Sequence, residues 1–172
     1  EKNEAWRVQV VDTGLHTATG GRLKRIRPLL NDETFCMTYG DGVADVDIHA
    51  LLEFHRTHRK LVTVTAVQPT LPFGVINFHT LAGGTVGFEE KPRLHAVWVN
   101  SGFFVIEPRA LDVISGDDEA WENGPLEHLA HDGQLAAFRH EGFWHCMDTP
   151  KDRQVLEDLW KTYRDRGLVI IG

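Results

Sequence analysis

The chain reads as an α/β fold: a mainly parallel, Rossmann-like sheet with helices on both faces and an antiparallel hairpin arm. Three observations predict it. The first is a strand–helix–strand run over 34–67, whose spacing is that of a βαβ unit. The second is the pair of short apolar strands that each end in a carboxylate, at Asp41 and Asp148, immediately before a helix. In open α/β sheets ligands bind at the carboxyl ends of the strands, so those two positions mark a site. The third is the sequence between 75 and 91, where two short β-prone runs flank Gly83-Gly84 as in a hairpin.

Taken in order, residues 6–10 alternate apolar and polar and read as a strand. Thr17 to Gly21 then opens a helix carrying Leu23, Ile26, Leu29 and Leu30. A glycine pair at a helix start can leave backbone N–H groups free for an anion, with Arg22 beside them; an ordinary glycine-rich helix entry is equally compatible. Residues 34–39 form a strand, and Gly40-Asp41-Gly42 follows it. Those glycines suit either a close backbone approach to a ligand or a plain β-turn. Asp47 is the expected N-cap of a helix over 47–59 with Ile48, Leu51, Leu52 and His55 on one face. His55 and His58 stand three apart, but without a third ligand nearby they read as a solvated or core-edge pair and not as a metal site.

Residues 61–67 are β-branched and read as a buried strand. The hairpin 75–91 ends at Glu90-Lys91-Pro92, where proline stops the strand. Residues 97–106 form a strand interrupted by Ser101-Gly102, which hints at a bulge or a close backbone approach. Helices are expected over 108–114 and 121–131, the second with Pro125 in its first turn. Strands are expected at 134–138 and 142–148. Thr149-Pro150, a cap followed by proline, launches a helix over 150–165, and an apolar stub closes the chain at 168–171. No repeat and no linker divides the 172 residues, which read as one domain.

Composition removes several functional classes. A net charge of −7 argues against a general nucleic-acid surface. No apolar run approaches the length of a membrane span. The two cysteines, Cys36 and Cys146, both fall in expected strands and read as buried thiols of a reducing compartment. The chain opens on Glu1 rather than Met, so it reads as a fragment or a processed piece.

Asp41 and Asp148, converging at one sheet edge, could hold one Mg²⁺, which takes carboxylate, water and phosphate oxygens. Lys91, opposite them, could hold a phosphate as a point charge. At lower resolution the same residues read as a helix N-terminal acid, a turn residue and a solvated lysine, with Asn100 a bulge former.

The ordered set Tyr39-Gly40-Asp41-Gly42, Phe73-Gly74, Glu90-Lys91-Pro92, Asn100-Ser101-Gly102-Phe103-Phe104 and Met147-Asp148-Thr149 resembles the sugar-1-phosphate nucleotidyltransferases. Thr19 to Arg25, Gly42 to Asp47 and Gly142-Phe143-Trp144 look most like the branch of that family that joins CTP to glucose 1-phosphate. The resemblance implies a Mg²⁺-dependent cytoplasmic enzyme of nucleotide-sugar synthesis, of the kind that feeds lipopolysaccharide. It implies Mg²⁺ on Asp41 and Asp148, the sugar phosphate on Lys91, and sugar hydroxyls on Glu90, Gly74 and Asn100. Thr17, Gly21, Arg22 and Gly40 would line the nucleotide side. The family's opening glycine-rich strand–loop–helix has no counterpart here, so the chain matches the later part of the enzyme. A non-catalytic sugar-phosphate-binding or partner-binding remnant is therefore a competing reading, as is the same chemistry with dTTP, UTP or GTP. Oligomeric state is open, a homo-oligomer included.

Overall fold

The computed structural model describes residues 7–71, 73–78, 86–92 and 97–165. Trp6, the turn of the expected hairpin at 79–85 and the stub at 168–171 lie outside the described residues. The elements in chain order are α1 (Thr19–Ile26), β1 (Phe35–Thr38), β2 (Gly42–Ala44), α2 (Ile48–His58), β3 (Val62–Val67), β4 (Val75–Phe78), β5 (Val86–Glu89), β6 (Val99–Ile106), α3 (Pro125–His131), β7 (Leu135–His140), β8 (Trp144–Cys146) and α4 (Pro150–Asp165). Short 3₁₀ turns occupy Arg27–Leu29 and Pro108–Val113.

The main sheet has the order β1-β6-β3-β7 and is mixed. Its strand directions can be read from the bonds at the strand ends. Glu107 N donates to Leu61 O just beyond one end of the β3–β6 pair, and Ser101 Oγ donates to Thr65 O within it, so β6 runs against β3. Likewise Thr34 Oγ1 donates to Glu107 Oε1 and Tyr39 N to Gly102 O, so β6 runs against β1 as well. β1 and β3 therefore share a direction, as the βαβ spacing predicts, but β6 lies between them. Val62 N donates to Gln134 O where β3 and β7 both begin, so that pair is parallel.

Two further pairs are antiparallel: β2 with β8, and β4 with β5, in the register Val75↔Glu89 to Phe78↔Val86. The second is the expected hairpin arm.

The chain divides into two compact units. In the unit containing β2, α2 and β8, Ala44, Val46, Leu51 and Val105 form a buried cluster, with Ile48, Leu52, Phe103, Phe138 and Trp144 packed against it. Every residue of β3 is buried, as its β-branched run predicts. His55 Nδ1 and His58 Nε2 converge on Thr63 Oγ1 at 2.7 and 2.8 Å, so the histidine pair serves a buried hydroxyl. Asp47 caps α2 by accepting from Ala50 N at 3.0 Å.

In the other unit, α1 packs on the segment 117–121. A Cβ on Gly20 would lie 2.6 Å from Glu119 O, and one on Gly21 2.6 Å from Asp117 Cα, so only glycine permits this approach. Arg25 then clamps Asp117 through Nε and a terminal nitrogen, at 3.0 and 2.5 Å. Trp121 and Leu129 are fully buried nearby in sequence.

Several sequence expectations are corrected. Residues 7–10 form no strand, and Val8 and Val10 are 77% and 93% exposed. Alternation makes a strand only against a partner, and among the described residues these pair with none. The expected helix at 121–131 begins only at Pro125, because Gly124 has φ +106° and turns the chain before it. The one at 108–114 tightens to 3₁₀. The cysteines are not both buried: Cys36 is exposed, on a strand at the edge of its sheet, and Cys146 is half-buried.

The start of α4 carries a reciprocal cap. Thr149 N and Oγ1 donate to Asp152 Oδ2 at 2.9 and 2.7 Å, and Asp152 N donates back to Thr149 Oγ1 at 3.2 Å. The hydroxyl bond, helped by the Thr149 amide and by His145, holds the Asp152 carboxyl below its ordinary value of 3.8. A depressed carboxyl stabilises the fold above its unfolded pKa and ceases to do so as pH falls through the folded one. Acid unfolding should accordingly show Asp152→Asn less stable than wild type at pH 7, with the difference shrinking as pH falls below 3.8 and through the lower folded pKa, as read by circular dichroism melts.

Candidate active site

The site is built by the β2–β8 ladder. Its register pairs Gly42 with Cys146, Val43 with His145 and Ala44 with Trp144. The pairing extends one step further, where Met147 N donates to Asp41 O at 2.8 Å. Asp41 and Asp148 are 107 positions apart in sequence, yet this register brings their carboxylates together. One donor atom each from Asp41, Cys146 and Asp148 lies within 4.8 Å of the other two. Both carboxylates are exposed, and the Cys146 thiol donates to Asp148 Oδ1 at 3.3 Å. Partial burial, the bond to Asp148 and the charges of Asp41 and Asp148 push this thiol up to about 11. Two exposed carboxylates with room for water and phosphate oxygens are the donor chemistry a hard divalent cation uses.

Asp148 also borders a groove of about 760 Å³, whose walls include Leu71, Lys91, Phe143, Trp144 and Lys151. Lys91 enters it from the end of the hairpin arm. Its φ is +48°, a left-handed conformation uncommon for a residue with a side chain, and its Nζ lies 3.6 Å from Glu90 Oε1. Gly74 stands under the same arm: a Cβ there would meet the Phe88 ring at 2.5 Å and Glu90 Oε2 at 3.0 Å. Asn100 uses its side-chain oxygen to accept from Gly102 N at 2.8 Å, stabilising the kink at Gly102, whose φ is +86°. Gly40 has open space on its Cβ side.

The remaining expected residues belong to the other compact unit. Thr17 is buried. Arg22 donates to Thr13 Oγ1 at 2.7 Å and to Leu15 O at 3.4 Å. The Gly21 amide is not free for an anion, since it donates to Glu119 O at 3.2 Å, and Ala18 N is likewise taken by Asp117 O. The glycine pair thus has a packing role that its sequence alone does not disclose.

Sequence reasoning missed Cys146, Lys151 and Asp152 as neighbours of the site. The signal for Cys146 was present: it stands two residues before Asp148, and alternate residues of an extended strand share a face. Lys151 and Asp152 follow from the first turn of α4, which starts directly after Asp148.

The groove wall at 142–143 is pinned by Asp45. Phe143 N donates to Asp45 Oδ1 at 2.7 Å, Asp45 N donates to Phe143 O at 3.1 Å, and His140 Nε2 lies 3.0 Å from the same carboxylate oxygen. A Cβ on Gly142 would strike Asp45 Oδ1 and come within 2.7 Å of the His140 ring.

Residues 8–145 match the family model described as nucleotidyl transferase. The chain belongs to that family. It is 47% identical over 159 residues to a protein of Salmonella typhimurium called glucose-1-phosphate cytidylyltransferase, covering 92% of this chain and 61% of that one. It is 35% identical to a Bacillus subtilis protein called probable glucose-1-phosphate cytidylyltransferase, covering 91% of this chain and again 61% of the other. The chain therefore spans about 61% of the length of these curated relatives. Among solved structures, UDP-glucose pyrophosphorylase complexed with UDP-glucose superposes with a TM-score of 0.61 at 14% identity, over 87% of this chain and 64% of that one, a likeness of fold.

Gly142→Ala should destabilise the protein by about 1–3 kcal/mol, the usual range for an overpacked contact. In an Asp45→Ala background one of the two obstructing groups is gone, so the same change should cost less. A thermal double-mutant cycle reads the difference, and equal penalties in both backgrounds would show that Asp45 does not hold this wall.

Proposed function

We propose that this chain carries the metal, sugar-phosphate and part of the nucleotide site of an enzyme that transfers a cytidylyl group from CTP to α-D-glucose 1-phosphate, releasing CDP-glucose and pyrophosphate. The observation that carries the reading is the convergence of Asp41 and Asp148 beside a groove that also receives Lys91. The similarity to proteins called glucose-1-phosphate cytidylyltransferase supports the choice of base and sugar.

A phosphate oxygen of the sugar phosphate attacks the α-phosphorus of CTP, and the bond from that phosphorus to the pyrophosphate oxygen breaks. The second pKa of a phosphate monoester is about 6, so the nucleophile is already a dianion at neutral pH. It needs no general base, and none of the ten histidines is required in that role. The difficulty is bringing two anions together, which positioning and charge cancellation overcome.

Lys91 offsets the charge of the sugar phosphate. Its place at the end of β5, in a strained backbone conformation next to Pro92, fixes where its ammonium enters the groove. Glu90, Gly74 and Asn100 face the sugar hydroxyls in this reading. Asp41 and Asp148 would hold Mg²⁺, which when bound neutralises charge on the phosphates. In this reading Gly40 would line the nucleotide side; Thr17, Gly21 and Arg22, for which the resemblance implies the same role, belong to the other compact unit, where the Gly21 amide is already bonded to Glu119 O. Free thiols at Cys36 and Cys146 fit a cytoplasmic protein.

Pyrophosphate release from CTP, dTTP, UTP and GTP, each with glucose 1-phosphate and Mg²⁺, tests the reading on the gene product that carries this chain. CTP should be preferred. A preference for another base would change the substrate and keep the chemistry. Sugar-phosphate binding without turnover of any triphosphate would indicate the non-catalytic remnant. Asp41→Asn should abolish Mg²⁺-dependent turnover and leave the melting curve in place. Lys91→Met should weaken glucose 1-phosphate by roughly ten- to hundredfold, as the loss of a charge-assisted contact does, and should leave CTP affinity nearly unchanged by calorimetry.

A further inference from the structure

The strand that presents Asp148 also presents a sulfur. Cys146 Sγ lies 3.3 Å from Asp148 Oδ1, and a donor atom of Asp41 completes a triangle with no side above 4.8 Å. The position of Cys146 is set by the sheet: it pairs with Gly42, which directly follows Asp41, and it stands two residues before Asp148. A tetrahedral or octahedral cation with metal–sulfur and metal–oxygen distances of about 2.3 and 2.0–2.2 Å has sulfur–oxygen edges of about 3.1–3.6 Å. The observed separation falls inside that range. Asp41 and Asp148 are exposed, so water can supply the remaining ligands.

We propose that Cys146 is a third donor of the Asp41–Asp148 cation site, and that it makes the site accept a thiophilic divalent cation of the Zn²⁺ or Cd²⁺ class in competition with Mg²⁺. The inference rests on the reading of the two carboxylates as cation ligands. Mg²⁺ seeks oxygen and leaves a thiol as a bystander, whereas soft thiolate ligands select metals of the zinc group. On binding, the thiol proton that now bonds to Asp148 leaves for solvent, and a sulfur–metal bond replaces it; one proton is released for each ion bound through sulfur. Cys146 thereby sets which cation the site prefers.

The test titrates the chain with Cd²⁺ alone and follows the ultraviolet thiolate-to-cadmium charge-transfer band, with Cys36→Ser as the control for the other thiol. Mn²⁺ binding, followed by electron paramagnetic resonance, reports the carboxylates separately. Wild type and Cys36→Ser should both show the band at one ion per chain, and Cd²⁺ should displace Mn²⁺. Cys146→Ser and Cys146→Ala, each checked for the wild-type circular dichroism, should lose the band and bind Cd²⁺ at least about 100-fold more weakly. Outer-shell partners alone cost about 10–100-fold, and a direct ligand should cost no less. Both variants should keep Mn²⁺, which Asp148→Asn should lose. A band that survives in both Cys146 variants, or is absent from wild type while Mn²⁺ binds, overturns the role of Cys146 and leaves the carboxylate reading standing. Mn²⁺ that fails to bind wild type, or binds Asp148→Asn equally well, overturns both.

Discussion

The site depends on a ladder only three residues long. β2 and β8 each contribute a single short segment, and neither would persist alone in water. What holds them is what lies on either side. At one end Met147 N meets Asp41 O; at the other, Asp45 closes on Phe143 through both its amide and its carboxylate. Between them Trp144 turns its indole N–H onto Ser101 O at 2.9 Å and packs its ring on the cluster of Ala44, Val46, Leu51 and Val105. Hydrophobic burial thus fixes the register, and the register fixes the carboxylates. Slipping the pair by one residue would send alternate side chains to the other face and part the carboxylates of Asp41 and Asp148.

Much of this was legible in the sequence because the signals were local. Asp47 as a cap, Thr149-Pro150 as a helix start, Pro92 as a strand stop and the β-branched run of β3 all depend on a few adjacent residues. The candidate site was legible for a different reason: its residues recur in a fixed order that matches a family. What could not be read were choices made by partners distant in the chain. Residues 7–10 alternate as a strand should, but alternation does not provide a neighbour. Gly20 and Gly21 look suited to an anion and instead admit the backbone of 117–121. The insertion of β6 between β1 and β3 is likewise a long-range choice, which no βαβ spacing encodes.

The polar groups divide by environment. Buried ones are spent on structure: Thr63 gathers two histidines, and Ser101 reaches across the sheet to Thr65. Exposed ones around the groove are left in positions that cost something to maintain. Lys91 holds a left-handed backbone, and Asp41 and Asp148 stand close with like charge. Residues that break local rules in this way cluster where a ligand can compensate them.

The position of β6 bears on the order in which the molecule can be made. A ribosome releases β1 and β3 well before the strand that must lie between them. From the end of β3 to the end of β6 is roughly 40 residues, about 2–8 s of synthesis at roughly 5–20 residues per second. Through that interval β1 and β3 each offer a hydrogen-bonding edge that has no lasting partner, and every residue of β3 is one that the finished fold buries. Such edges are where nascent chains aggregate. The arrangement that gives the finished sheet its antiparallel centre therefore places a demand on chaperones while the segment between β3 and β6 is being synthesised.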